Sequence, residues 1–165
     1  MGVVNITPDS FSDAGAFLDA NCAAERCLEL AENGADIVDL GGESSRPGAG
    51  PVSSEEEVQR VVPVLEKVRR YSSIPISVDT VKSEVAQAAL TEGADIINDI
   101  SAFRFDPGMP RVVNRWQAGV VLMHMRGDPM TMQELPASTD ILREIRMELQ
   151  LAVSKALEEG VSNDR

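Results

Sequence analysis

No stretch of this chain approaches the roughly 20 consecutive apolar residues that a membrane-crossing helix needs. Its opening also lacks the basic, then apolar, then small-residue order of a secretory leader. The expectation is a cytoplasmic protein with no membrane partner. Cysteine is scarce as well: Cys22 and Cys27 stand five apart in a helical pattern, where side chains diverge and cannot bridge. Both read as packing residues in a reducing compartment. Positive charge is outnumbered, 15 Lys and Arg against 27 Asp and Glu, for a formal net charge of -12. That balance opposes the phosphate contacts on which nucleic-acid binding rests, and no basic stripe offsets it, so nucleic acid is not expected as a partner. An anionic small substrate therefore needs local help from an arginine, a metal ion or helix amino termini.

What remains is a chain of 165 residues, 43% hydrophobic and 25% charged, which suits one globular domain with a sizeable core. Met1 to Ile6 is apolar except for Asn5 and reads as a buried strand, broken into a turn by Pro8, Asp9 and Ser10. Asp19 is the expected cap of a helix to about Asn33, with Ala23, Cys27, Leu28 and Ala31 toward the core, and Gly34 ends it. Asp36 to Gly42 is a second strand, followed by the Gly- and Pro-rich GGESSRPGAGPVSS. Ser53 and Ser54, each with a Glu three residues on, give capping-box signals. In the helix they open, Val58, Val61, Val62, Leu65 and Val68 form the buried stripe, and Pro63 should kink it. Strands at Pro75 to Thr80, Asp95 to Ile100 and Gly119 to Met125 then alternate with helices at Ser83 to Glu92, Asp106 to Gln117 and Asp140 to Gly160. The last helix carries Ile141, Ile145, Leu149, Ala152, Val153 and Ala156 at helical spacing.

An internal echo supports repeated units: Glu32, Gly34, Ala35, Asp36 and Ile37 match Glu92, Gly93, Ala94, Asp95 and Ile96, each set leading from a helix end into a strand. Strands apolar on nearly every residue fit a parallel β/α fold, covered on both faces. In such folds the carboxyl ends of the strands share one face. Asn5, Asp39, Asp79, Asn98 with Asp99, and His124 all stand at or near those ends, so they converge, whereas simple helix capping accounts for one or two of them. His124, on an apolar strand, reads as a hydrogen-bonded wall residue rather than an acid or base. Met123, Met125, Met130 and Met132 read as flexible packing.

The segments MGVVNITPDSFSD, DLGGESSRPG, SVDT, IINDI and LMHM, in this order and spacing, resemble the dihydropteroate synthase family of pterin-binding enzymes over essentially the whole chain. The resemblance implies an α/β fold of the parallel (β/α) TIM-barrel type, residues 1–165 forming an amino-terminal portion. A barrel of this type takes about 250 residues, so about five of its eight β/α units are present. It also implies a transferase of folate synthesis. Such an enzyme joins 6-hydroxymethyl-7,8-dihydropterin diphosphate to 4-aminobenzoate and releases pyrophosphate with Mg²⁺, and sulfonamides occupy the aminobenzoate position. By resemblance, Asn5 holds the metal and pyrophosphate, Arg46 stands near the leaving group, and Asp79 and Asn98 hold the pterin with Met123 against its ring. Phe11, Ser45, Arg46 and Pro47 surround the aminobenzoate, and Asp39 belongs to the floor of the site.

The residue types suit that chemistry on their own terms. A pterin presents an amino group beside a ring N–H, two parallel donors that a carboxylate such as Asp79 accepts together while a carboxamide such as Asn98 reads the adjacent edge. Loss of pyrophosphate concentrates negative charge on oxygen, where a metal, Asn5 and Arg46 act. The aromatic amine needs positioning more than deprotonation. Ser45 stands where the family more often has Thr, and Ala14 replaces a common Gly. Of the later family segments, a Ser-Arg-Lys and an Arg-x-His do not occur in the chain, and its Asp-Pro-Gly, at 106–108, opens an expected helix and does not end a strand. Five strands leave two bare sheet edges, so self-association is expected. Two other readings remain: a pterin-binding module without turnover, and a pterin-dependent methyltransferase, which the NITPDSF and GGESSRPG loops disfavour.

Overall fold

The computed structural model describes residues 1–6, 16–44, 50–132 and 134–165. Strands and helices alternate from one end to the other: β1 (Gly2–Asn5), α1 (Ala16–Glu32), β2 (Val38–Gly41), α2 (Ser54–Arg69), β3 (Ile76–Asp79), α3 (Ser83–Thr91), β4 (Ile96–Asp99), α4 (Met109–Trp116), β5 (Gly119–Leu122) and α5 (Ile141–Glu158). The strands pair in sequence order, β1-β2-β3-β4-β5, and all in parallel. A parallel pair requires a crossover, which each intervening helix supplies. The sheet is the five-unit barrel arc that the alternation predicts.

Successive residues of a strand face opposite sides. One side carries Val4, Val38, Leu40, Ile76, Val78 and Ile97, all buried against the helices with Ala23, Cys27, Val61, Leu65, Val68, Ala86, Ala89 and Val113. Of the two cysteines expected to pack, Cys27 is buried and Cys22 is exposed; burial pushes the Cys27 thiol up to about 12, which keeps it protonated and inert. Ser53 caps α2 by accepting the Glu56 N–H at 3.1 Å. The reciprocal half of that capping box is spent elsewhere, because Glu56 pairs with Arg60. The helix runs on past Pro63.

Three expectations shift. The first helix begins at Ala16, so Asp19 lies inside it rather than capping it; Ala16, Phe17 and Leu18 contain no breaker that would hold the start back to Asp19. The fifth strand stops at Leu122, short of Met125. Of the stripe expected on α5, Ala152 and Ala156 are buried but Ile141 and Val153 are exposed, because the sheet ends at β5 and offers α5 only one flank.

The echoed segments share a geometry. Gly34 (φ +92°) and Gly93 (φ +95°) both adopt the left-handed conformation that closes a helix. Each is followed by an alanine whose N–H bonds back five residues, Ala35 to Leu30 and Ala94 to Ala89, both at 3.0 Å. On this amino-terminal rim of the sheet, Arg69 donates to the Gly93 carbonyl at 2.8 Å, the Ile74 carbonyl at 2.6 Å and Asp95 Oδ2 at 2.6 Å. At the β5 edge, the Val120 N–H donates to the Arg165 carbonyl at 3.0 Å. Among the described residues no helix is long and apolar enough to cross a membrane.

Removing the α2 cap tests the local account. Ser53→Ala is expected to cost about 1 kcal/mol, read as a lower urea midpoint with an unchanged slope.

Candidate active site

The backbone register aligns one row of residues across the sheet: Asn5 opposite Gly41, Gly41 opposite Asp79, Asp79 opposite Asn98, and Asn98 opposite Val121. Register partners in a parallel sheet point to the same side, here the side away from the helices. Asn5, Asp79 and Asn98 therefore project together from neighbouring strand ends. Gly41 makes room between the first two, since a Cβ there would lie 3.2 Å from Asn5 Oδ1 and 3.8 Å from the Asp79 Cβ. The next row toward the strand starts pairs Asp39 with Ser77. Both are buried, and Asp39 Oδ1 and Ser77 Oγ have no hydrogen-bond partner among the described residues. This is a polar floor beneath the Asn5, Asp79 and Asn98 row.

Asp79 is the perturbed acid of the group. Burial above all, and then the nearby Asp39, Glu57, Asp99 and Glu43 carboxylates, raise its pKa to about 7. The charged neighbours that act on it most strongly are all acids, so its carboxylate form calls for donors from a ligand. Its neighbour Asn98 has its own carbonyl occupied by the Thr80 N–H at 3.1 Å, which holds the β3 and β4 ends in step.

Asp99, grouped with Asn98 in the sequence reading, belongs to a different structure. It is fully buried, and its carboxylate accepts the Ser101 N–H, the Ser101 hydroxyl and the Phe103 N–H at 2.7 to 3.0 Å. It ties the turn after β4 and is spent there. Met123 stands beyond the end of β5 and lines a separate cavity of about 240 Å³ with Phe103, His124, Leu149, Ala152 and Lys155. His124 Nε2 lies 3.3 Å from Glu148 Oε2 but makes no well-directed hydrogen bond, so the bonded wall residue expected there is a wall residue facing an acid. Phe11, Ser45, Arg46 and Pro47 lie outside the described residues.

Among the described residues, two locations offer ligand atoms of the kind a metal takes. His124, Glu144 and Glu148 offer ligand atoms within 4.8 Å of one another, yet Arg126 Nε already sits 3.0 Å from Glu144. Asn5 offers a neutral oxygen beside the Gly41 opening, the donor type that Mg²⁺ takes together with water and substrate phosphate oxygens.

Sequence reasoning passed over Gly41, Ser77, Glu43, Glu57 and Lys82. The first two were legible as the period-two neighbours of Asp39 and Asp79. The three charged residues meet only in the folded chain: Lys82 Nζ donates to Glu43 and, at 2.5 Å, to the buried Glu57.

The family model described as pterin binding enzyme matches residues 1–165. The dihydropteroate synthase of Synechocystis sp. is 44% identical over 161 residues, which cover 98% of this chain and 56% of that protein. Three of the solved structures similar to it are the following. Dihydropteroate synthase from Clostridium difficile in the presence of pteroic acid has a TM-score of 0.90 at 38% identity, covering 98% of this chain and 59% of that one. The Xanthomonas albilineans enzyme with 4-aminobenzoic acid has 0.88 at 43%, covering 98% and 56%. The Yersinia pestis enzyme in a sulfonamide drug complex has 0.89 at 37%, covering 98% and 58%. The chain thus spans a little over half the length of these relatives.

Asp79 also sets a pH test. Its folded pKa, about 7, lies above the ordinary value of 3.8 that it takes when unfolded, so the folded chain holds a proton that the unfolded chain releases. The resulting stabilisation is complete below about pH 4 and is lost as the pH rises through 7, by at most about 1.4 kcal/mol for each pH step of one. Asp79→Asn is expected to flatten the decline in stability between pH 4 and 7 and to leave the variant more stable than the parent at pH 8, measured by urea unfolding across that range.

Proposed function

The chain belongs to the pterin binding enzyme family, and on that premise we propose that its strand-end site serves dihydropteroate synthesis. In that reaction the amine nitrogen of 4-aminobenzoate forms a bond to the exocyclic methylene of 6-hydroxymethyl-7,8-dihydropterin diphosphate. The methylene–oxygen bond breaks, pyrophosphate leaves with the bonding pair, and the amine gives up one proton. The observation that carries this reading is the single register row that brings Asn5, Gly41, Asp79 and Asn98 together at the carboxyl edge.

In this reading Asp79 accepts the paired N–H donors of the pterin, and Asn98 reads the next edge of the ring. The burial and like charge that push Asp79 upward make a neutral, doubly donating head group a better partner than water. Asp39 and Ser77 present their unpartnered oxygens below the same row. Asn5 would hold Mg²⁺, which when bound would supply positive charge to the departing diphosphate. Arg46 would act at the same oxygens, and Phe11, Ser45 and Pro47 would flank the aminobenzoate or a sulfonamide in its place. Met123 would lie against the pterin ring, for which its side chain would have to leave the cavity it lines beside α5. The cytoplasm suits a chain whose cysteines are both free.

A second reading has one fact in its favour: the chain spans 56% of the length of a similar curated synthase. On that reading it holds the pterin but turns nothing over. Labelled 4-aminobenzoate with the dihydropterin diphosphate and Mg²⁺ separates the two. Formation of dihydropteroate supports the synthase; pterin binding by calorimetry without product supports the module; absence of both overturns the pterin site. Asp79→Ala is expected to weaken pterin binding by at least about 100-fold, the loss of two charge-assisted hydrogen bonds.

The open β1 edge and the exposed apolar residues of α5, among them Leu142, Met147 and Leu151, further support self-association of this chain. Light scattering at micromolar concentration is expected to return a mass above 17.8 kDa, and a monomer would overturn it.

A further inference from the structure

Between the end of β5 and α5 lies a cluster that the strand-end row does not use. Glu144 and Glu148 stand four apart on α5, so their side chains share one helix face. His124, just past β5, meets that face: its Nε2 lies 3.3 Å from Glu148 Oε2. The imidazole is 12% exposed, and Nε2 itself is closed off from solvent and makes no hydrogen bond among the described residues. A ring nitrogen set against carboxylates without a directed bond is an unmet interaction. Each of the three residues offers a ligand atom within 4.8 Å of those of the other two.

Arg126 is the objection to a cation here, and its geometry answers it. Its Nε donates to Glu144 Oε1 at 3.0 Å while Nη1 donates to the Pro136 carbonyl at 2.8 Å, and Ser138 bonds the same Glu144 carboxylate. A carboxylate accepts at about four positions, so two donors leave room for a metal. Carboxylates that ligate metals are ordinarily oriented by further hydrogen bonds in this way. With His124 neutral, Arg126 balances only one of the two acids. The other nearby cations are engaged elsewhere, Lys155 on the Phe103 carbonyl and Arg104 on the Met125 and Gly127 carbonyls. An imidazole with two carboxylates suits a borderline ion such as Zn²⁺ better than Mg²⁺, which favours oxygen throughout. Neighbouring ligands of a tetrahedral zinc stand about 3.4 Å apart, so the three atoms need to close by about 1 Å. Glu148, 41% exposed, can supply that by rotating.

We propose that His124, Glu144 and Glu148 form a cation site of the zinc class that pins the first half of α5 to the end of β5. That half has little apolar packing to hold it. The buried residues of α5, Ala152 and Ala156, lie in its second half, whereas Ile141, Leu142 and Met147 are exposed. The polar groups that reach back toward β5 are Glu144, to Arg126, and Glu148, to His124. An ion shared by the strand end and the helix converts two loose ion pairs into one fixed point, and its binding free energy adds to the stability of the fold. The site shares no residue with the Asn5, Asp79 and Asn98 row and does not depend on the synthase reading.

His124 is the only histidine of the chain, so the imidazole resonances of the isotope-labelled protein report on this one side chain. The titration is made on Cys22→Ser, because Cys22 is exposed and free and a thiolate would itself take zinc. Adding Zn²⁺ is expected to shift the His124 Nε2 resonance, whereas Mg²⁺ alone leaves it in place. Zinc is also expected to slow amide exchange at Glu144, whose N–H bonds the Asp140 carbonyl, by about 10-fold. Glu144→Gln and Glu148→Gln should each weaken zinc binding at least about 10-fold; both side chains are partly exposed, so either change keeps the fold. An imidazole that does not respond to excess zinc overturns the proposal. So does a response equally strong with Mg²⁺, or one that persists at the same zinc concentration when Glu144→Gln and Glu148→Gln are combined, the behaviour of a histidine binding alone. Zinc taken up at His124 with exchange at Glu144 unchanged overturns the pinning of α5.

Discussion

Parallel pairing is the constraint on which everything else depends. Because each strand is joined to the next by a helix that returns the chain to the same starting rim, all five strands finish on one side. The register then sets heights: Asn5, Gly41, Asp79 and Asn98 reach the edge at a single level, and Asp39 with Ser77 lie one row beneath. A slip of one residue in β3 would turn Asp79 into the helix-facing core and bring Val78 to the open side. Buried Val78 and Ile76 oppose that slip, so the apolar packing of one face is what holds the polar geometry of the other.

Charge has been concentrated where packing could have been simpler. Glu43, Glu57, Asp39 and Asp99 all act on Asp79 in the same direction, although each has a different local task. Asp99 closes a turn and Glu57 answers Lys82. Added to burial, which is the larger cause, their shared consequence is an acid whose protonation is balanced near neutrality. The structural duties of these carboxylates and their electrostatic effect at the site are therefore not separable.

Much of this was legible in the residues. The alternation of strands and helices followed from Gly34 and Gly93, from the Ser53 cap and from the apolar runs at 36–42, 75–80 and 95–100. The convergence of Asn5, Asp79 and Asn98 followed from their positions at strand ends. Asp99 was misassigned to the site because a strand end shows which residues are polar but not which side they face, and the three bonds that consume it come from residues two and four further along. The start of α1 was missed because Asp19 looks like a cap while nothing in the three residues before it breaks a helix. The knot of Lys82, Glu43 and Glu57 was out of reach for another reason: its members are 14 to 39 residues apart in the chain, and nothing local to one of them points to the other two.

Arg69 gives the molecule a division of labour. It gathers the Gly93 and Ile74 carbonyls and the Asp95 carboxylate on the rim opposite the site, and no residue of the Asn5, Asp79 and Asn98 row contributes to that bonding. Inherited variation at the two rims should therefore have different fates. A change around Arg69 removes bonds and lowers how much folded protein a cell retains, whereas a neutral side chain in place of Asp79 relieves a buried cluster of like charge, so substitutions at the two rims act on stability with opposite signs.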